Sequence, residues 1–467
     1  MAKIDIKEMQ NFFADKQQIT DLIQNKKKDQ ASLLLDKWKA HPSFYRILHQ
    51  QIKDIENIDI SNIDIKKIDL IPSSQQPHQK IIEPFLSKFT PSPQSIHSFF
   101  QSQHIIGEEH NQELLIYALL SRTNIGIESL PGSGKSALLY AAVNALPPPT
   151  YHLIHQATAK SLYNNQNINQ SEFWIIPELQ KIFTPDIKEL IKNLTEGKSA
   201  QYTKTNPQQN GITSKTIEKK CIIYTLAITN NQLKQRDDEL LRRFLILHTD
   251  ISREKNKRIA AHFGQQEMQT QENHPKNKLF QQHLAQKLSY TAEIKNPFRQ
   301  YLNTHLPSHI IGATQFPSQQ HYLNNLIKGL TVFQNTAIPP SAPYLFSSLN
   351  DNQHLPSIYH PTLLANLYNL SVIDNTFLHL VPEQPAPLNT LKDQWYEKYT
   401  PSLPLDDSIS KLCAANLIEK TNNTHLSLKI SLEITLNTEE SLEHATELMK
   451  QNFPKYHDQW YSKLRYL

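Results

Sequence analysis

Glycine is scarce in this chain, nine residues in 467, and cysteine scarcer still, with only Cys221 and Cys413. Two cysteines are too few for a disulfide framework and make no zinc site by themselves, so both read as ordinary buried thiols. No apolar run reaches the roughly 18 residues that a membrane span needs, and the start MAKIDIKEMQNFF lacks a basic flank followed by an apolar stretch. The expectation is a soluble, cytoplasmic protein without membrane contact. Hydrophobic residues make up 38%, below the roughly 45–50% usual for globular chains, which forecasts long polar connections. The net charge of +4 is slight for this length, so a nucleic-acid surface would have to come from local clustering. At roughly 150 residues per domain, the length suggests about three domains.

Against that scarcity, Gly132 and Gly134 stand close together and single out residues 129–136. Upstream, Met9, Phe12, Phe13, Ile19, Leu22 and Ile23, then Leu33, Leu34, Leu35 and Trp38, fall at helical spacing on either side of Lys26, Lys27 and Lys28. Ile58, Ile63 and Ile68 recur every five residues, but three turns are too few for a repeat coil to stand alone, so this stretch reads as a β-rich or irregular connector. A Ser-, Pro- and Gln-rich composition then marks a linker. Residues 1–72 are thus expected as a helical N-terminal region and 73–96 as the linker.

Next, EEHNQELLIYALLSR predicts a helix and NIGIESL a strand that leads into Pro131, Gly132, Ser133, Gly134, Lys135 and Ser136. ALLYAAVNAL predicts a helix stopped by the prolines at 147–149. FWII (173–176) and CIIYTLAI (221–228) are short, β-branched and unalternating, as in the central strands of a buried, mostly parallel sheet.

SLPGSGKS carries the final G-K-[ST] of a nucleotide-binding loop, with Ser129 where the first glycine usually stands. Glycines at 132 and 134 let the backbone turn tightly, so that N–H groups and the following helix N-terminus aim at phosphate oxygens. Lys135 would supply positive charge to the outer phosphates of ATP, Ser136 would ligate Mg2+, and Ala137 follows in the same turn. Past the FWII strand, Glu178 is placed to orient an attacking water. Pro177 takes the place of the usual metal-associated aspartate, so either hydrolysis is slow or another acid, Glu172 or Asp186, substitutes.

These residues resemble an AAA+ ATPase, most nearly the MoxR-like, helix-inserted side of that superfamily, over roughly residues 100–335. Ile105, Ile106 and Gly107 look like the family's approach to the adenine. Asn230 in TLAITNN is similar to the sensor-one asparagine. DDELLRRF looks like the arginine-finger segment, with Arg242 or Arg243 reaching the nucleotide of a neighbouring subunit. TEGKSAQYTKTNPQQNGITSKTIEKK is polar and fits a hairpin or a mobile loop, with Tyr202, Lys198 and Lys204 as candidate contacts to a polymer or as a solvated surface. For the sensor-two position, His321, Lys328 and Arg299 are the available bases.

The resemblance implies an α/β P-loop NTPase core with a mostly parallel sheet at 97–250 and a helical lid at 251–338. It also implies bound ATP and Mg2+, ATP hydrolysis, and assembly into a homo-oligomer. Residues 339–388 read as a proline-marked connector with helices, the connector proper running to His360. The segment 389–467 has the order of a winged helix: a helix at 391–399, a second at 406–415, then the hairpin NLIEK/HLSLKI, followed by a terminal helix over YHDQWYSKLRYL. Lys411 is the only base of the second helix, so both DNA and a protein remain open as partners. A slow-hydrolysing ATP switch is a third reading.

Overall fold

The computed structural model describes residues 89–206, 211–228, 238–266, 275–290, 292–335, 343–399, 405–422, 424–430 and 437–464. The N-terminal helices, the five-residue isoleucine spacing, most of the linker and Asn230 lie outside the described residues.

Helices α1 (Pro93–Ser102) and α2 (Glu109–Ser121) precede strand β1 (Ile125–Ser129), which runs through the loop into α3 (Lys135–Asn144). There follow β2 (Tyr151–Leu153), β3 (Phe173–Ile176), α4 (Pro185–Thr195), the antiparallel hairpin β4 (Ala200–Asn206) and β5 (Gly211–Ile217), then β6 (Cys221–Ala227) and β7 (Leu245–His248). Five of these strands form one sheet in the order β2-β3-β6-β1-β7, with every neighbouring pair parallel. Within the polar segment between β3 and β6 in the chain, the described residues 200–206 and 211–217 therefore form an antiparallel strand pair. Gly197 at φ 78 ends α4 in the left-handed region, which glycine enters without a Cβ penalty.

The sheet is apolar on both faces, because β3, β6 and β7 each feed both. Phe173, Ile175, Cys221, Ile223, Ile125, Ile127, Leu245 and Leu247 join the cluster containing α1, α2 and α3. The alternate residues Trp174, Ile176, Ile222, Tyr224 and Ile246 join the cluster containing α4. Gly126 has no side chain because the Tyr224 ring fills that space; a Cβ there would lie 2.5 Å from the ring. Cys221 is buried, Cys413 is half-buried, and both are free thiols.

After β7 come α5 (Arg253–Gln266), α6 (Pro275–Leu288), strand β8 (Glu293–Lys295), α7 (Phe316–Gln334) and β9 (Tyr344–Phe346), with β8 and β9 forming a small parallel pair. Phe280 and Leu284 of α6 and Leu326, Ile327 and Leu330 of α7 belong to the same apolar cluster as α2 and β1. Helix α7 approaches α2 so closely that a Cβ on Gly329 would sit 1.9 Å from the Tyr117 carbonyl oxygen. On α6, His283 hydrogen bonds the Phe333 carbonyl at 2.8 Å and Lys287 donates to that of Asn335, so two side chains one turn apart satisfy the C-terminal end of α7.

Helix α8 (Leu349–Leu367) corrects the expected connector. It is helical from Leu349 on, with Pro356 and Pro361 inside it. A capping box between Ser348 and Asp351 starts it, and burial of Leu355, Ile358, Tyr359, Leu363 and Leu364 outweighs the backbone hydrogen bonds the prolines cannot make. From this helix Asn366 reaches β7, accepting from the Ile246 N–H at 2.9 Å and donating to the Ile246 carbonyl at 2.8 Å.

The C-terminal part contains α9 (Val372–Leu378), β10 (Ala386–Pro387), α10 (Leu388–Lys398), α11 (Asp406–Ala414), β11 (Ile418–Thr421) and β12 (His425–Leu428). The strands form an antiparallel sheet ordered β10-β12-β11. Phe377, Leu391, Trp395, Leu412 and Leu426 fill its core, and Leu130 and Ile251 from the α/β part pack against that core. Helices α12 (Thr438–Asn452) and α13 (Pro454–Leu464) close the chain, with Trp460 and Met449 packed against Phe298. Among the described residues no helix is long and apolar enough to cross a membrane.

Candidate functional site

Strand β1 ends at the carboxyl edge of the sheet, where Gly132 (φ 75) and Gly134 (φ 90) turn the backbone through the left-handed region and α3 begins at Lys135. Only glycine takes that conformation cheaply, which explains where this glycine-poor chain places two of its nine. Gly134 caps α3 without a side chain, so no side-chain oxygen occupies the first-turn N–H groups of the helix. Lys135 is buried under the loop, its Nζ donating to the Leu130 carbonyl at 2.5 Å and lying 3.4 Å from Ser133 Oγ. Burial, together with the charge of Lys255, holds its ammonium below the usual lysine range. Ser133 and Ser136 are half-buried, while Pro131, Gly132, Gly134 and Ala137 are exposed.

A second layer behind the loop involves two residues that sequence reading missed, Glu108 and Lys255. Lys255 Nζ donates to Glu108 Oε1 at 2.5 Å, to the Ser133 carbonyl at 2.9 Å and to the Asp250 carbonyl at 3.1 Å. The Asp250 N–H donates to Glu108 Oε1 at 2.8 Å, and Asn111 donates to Glu108 Oε2 at 2.6 Å. Burial pushes the Glu108 carboxyl up even though Lys255 and these donors oppose it. Glu108 itself is left-handed, at φ 69. From the end of β7, the Thr249 hydroxyl donates to Ser133 Oγ at 2.8 Å. Glu108 stands in the HIIGEE segment beside half-buried Ile106 and could have been flagged there; Lys255, 147 positions further on, carries no sequence signal.

Glu178 follows β3 at the same carboxyl edge, half-exposed and ion-paired with Lys181. Strand β6 lies between β1 and β3, so the carboxylate stands about two strand spacings, roughly 10 Å, to the side of the loop. The Thr225 hydroxyl donates to the Pro177 carbonyl, which fixes the turn that presents Glu178. Neither proposed substitute acid is well placed for a metal at the loop. Glu172 precedes β3 at the opposite, amino edge and is paired with Arg122, and Asp186 is an exposed first-turn residue of α4. Sequence reading also passed over Glu128, fully buried in β1 and accepting from the Tyr224 hydroxyl at 2.9 Å.

Arg242 and Arg243 precede β7 and so lie at the amino edge, a strand length of roughly 13 Å from the loop edge. They differ in availability. Arg243 is tied to Glu196, Glu239 and the Lys192 carbonyl, whereas the Arg242 side chain is exposed. The Arg242 carbonyl accepts from Tyr322 at 2.9 Å, which places the neighbouring His321 at this edge too. The charges of Lys328 and Arg299 act on His321 there. Of the candidate sensor-two bases, His321 is thus next to the residue that contacts the Arg242 backbone.

Beside the loop, a cavity of about 390 Å³ is bounded by Glu108 and Asn111 of the α2 entry, Thr249 and Asp250 after β7, and Asn375 and Tyr399 of the C-terminal part. Three of these, Glu108, Thr249 and Asp250, also belong to the network that holds the loop, whereas none of the loop residues 131–136 borders the cavity. The chain matches no family model, and no curated protein is significantly similar to it.

Proposed function

We propose that this chain is an AAA+-type ATPase that binds ATP with Mg2+ at the loop Pro131–Ser136 and couples binding and hydrolysis to remodelling of a protein partner. The observation that carries this reading is the loop itself: two left-handed glycines at the carboxyl edge of a central parallel strand, opening a helix whose first residue is a buried lysine. That arrangement fits a triphosphate. The hairpin between β3 and β6 and the placement of Glu178 two strands away support the same reading.

ATP with Mg2+ would supply the cleavable phosphoanhydride and the cation that offsets its charge. Lys135 would exchange its Leu130 and Ser133 partners for phosphate oxygens, and Ser136 would offer its hydroxyl to the metal. Glu178, once free of Lys181, would accept a proton from water. Pro177 contributes no carboxylate, so turnover is expected to be slow. The neighbouring cavity, which shares Glu108, Thr249 and Asp250 with the network behind the loop, would have room for a base and sugar. Arg242, at the opposite edge and exposed, fits a role at the site of an adjoining copy, which implies a homo-oligomer.

The C-terminal order helix, strand, two helices and hairpin resembles a winged helix, and one observation favours protein over DNA as its partner. Lys411, the only base of α11, is ion-paired with Asp374 at 2.8 Å and donates to the Asn369 carbonyl, while exposed Asp406 and Asp407 open the helix. A helix so presented would repel phosphates in a groove. The test is steady-state ATP hydrolysis with Lys135→Ala and Glu178→Gln, each with and without duplex DNA. Turnover lost in both variants and unchanged by DNA is the expected result; stimulation by DNA would restore the DNA reading, and no nucleotide binding by the unaltered chain would end the ATPase reading.

A further inference from the structure

We infer that Lys255 is a positioning residue for the anion-binding loop, acting through the Ser133 peptide rather than by touching phosphate. The inference rests on the ATPase reading of that loop. An ammonium has three N–H donors, and here all three have oxygen acceptors, from Glu108, Ser133 and Asp250. Those acceptors come from the entry to α2, the phosphate loop and the exit from β7, so one side chain ties three separate segments together. Its charge is matched by the Glu108 carboxylate, and the pair is almost completely buried, each side chain at most 6% exposed.

The consequence for the loop follows from peptide geometry. In a trans peptide the carbonyl and the next N–H point in opposite directions. Holding the Ser133 carbonyl against Lys255 therefore turns the Gly134 N–H away from Lys255, toward the side where phosphate oxygens would lie. The same pull keeps Gly134 at φ 90, and Thr249 fixes the Ser133 side chain at the same residue. Because all three Lys255 donors are already engaged within the protein, its contribution is to set donor direction, an effect every phosphate ligand shares. Glu108 in the left-handed region is a strained conformation that this network maintains.

The test uses the full chain and compares Lys255→Met, Lys255→Arg and Glu108→Gln with the unaltered protein. Affinity for ATP and for inorganic triphosphate is measured by calorimetry, and thermal unfolding is followed in parallel. Lys255→Met should weaken both ligands by about tenfold or more and by the same factor, as expected when a backbone donor is lost rather than a base contact. Lys255→Arg should recover part of that loss. A second comparison separates positioning from general destabilisation: His354→Ala, which removes a hydrogen bond to Glu113 in the helical layer, should lower the unfolding temperature without weakening triphosphate. If Lys255→Met does not fold, Glu108→Gln carries the test, with a smaller loss for both ligands. Unchanged affinity in folded Lys255→Met or in Glu108→Gln, alongside lost binding in Lys135→Ala, would overturn the positioning role alone. Absence of triphosphate binding by the unaltered chain would overturn it together with the ATPase reading.

Discussion

Glu113 of α2 shows how single buried charges set the conditions under which this chain is stable. Its carboxylate accepts from His97 at 3.0 Å, from His354 at 2.6 Å and from the Tyr117 hydroxyl at 3.0 Å, joining α1, α2 and α8. Burial alone would raise the carboxyl, but these bonds outweigh it and bring it to about 2. His283 and His360 are lowered too, burial bringing each to about 4, which for a histidine favours the neutral form. Unfolded, the histidines take up protons near pH 6.5, while folded they resist to about pH 4, so stability falls as pH drops through that window. Glu113 adds a further loss between about 4.5 and 2. The unfolding free energy from urea titrations should therefore decline progressively below pH 6.5, by up to ~3 kcal/mol per histidine. A flat profile from pH 6.5 to 4 would contradict these placements. Little at this scale was legible beforehand. Lys135 and the glycines were, because a local pattern of consecutive residues defines that loop; Glu108 with Lys255 was not, because a contact across 147 positions leaves no local trace.

Among the elements, strands were the easier to read. NIGIESL, FWII and CIIYTLAI all became strands of the parallel sheet, because burial on both faces demands an uninterrupted β-branched run. Helix α8 was hidden by its prolines, whose local preference lost to the buried side chains around them. Helix α7 carries the sharpest prediction at this scale. Gly329 permits contact between its backbone and that of α2, and an added methyl group meets the Tyr117 carbonyl, which cannot move aside as a flexible side chain could. Gly329→Ala should cost about 3 kcal/mol of unfolding free energy, whereas an alanine at open Gly264 should cost nothing measurable from steric contact. Equal stability of the two variants would show that the helices separate easily.

Across the whole molecule, the sequence-predicted site residues divide between two edges of one sheet. Lys135, Ser136 and Glu178 lie at one edge and Arg242 at the other, so a single copy cannot assemble them around one phosphate. Arg242→Ala should therefore retain ATP affinity but lose turnover, and turnover of the unaltered protein should rise with protein concentration. Mixing Arg242→Ala with Lys135→Ala should restore activity in about a quarter of the sites of a randomly mixed assembly, where an intact loop meets an intact arginine. A mixture as inactive as its parts would rule out a shared site.

The carboxamide of Asn366 has a consequence of another kind. Strand β7 ends the parallel sheet, and its outward N–H and C=O at Ile246 would invite a further strand from a foreign chain. Asn366 occupies both groups with a side chain that mimics a peptide and then stops, so hydrogen bonding cannot propagate past it. At Ile246 this edge of the apolar sheet is thereby blocked to a further strand by one residue of a helix.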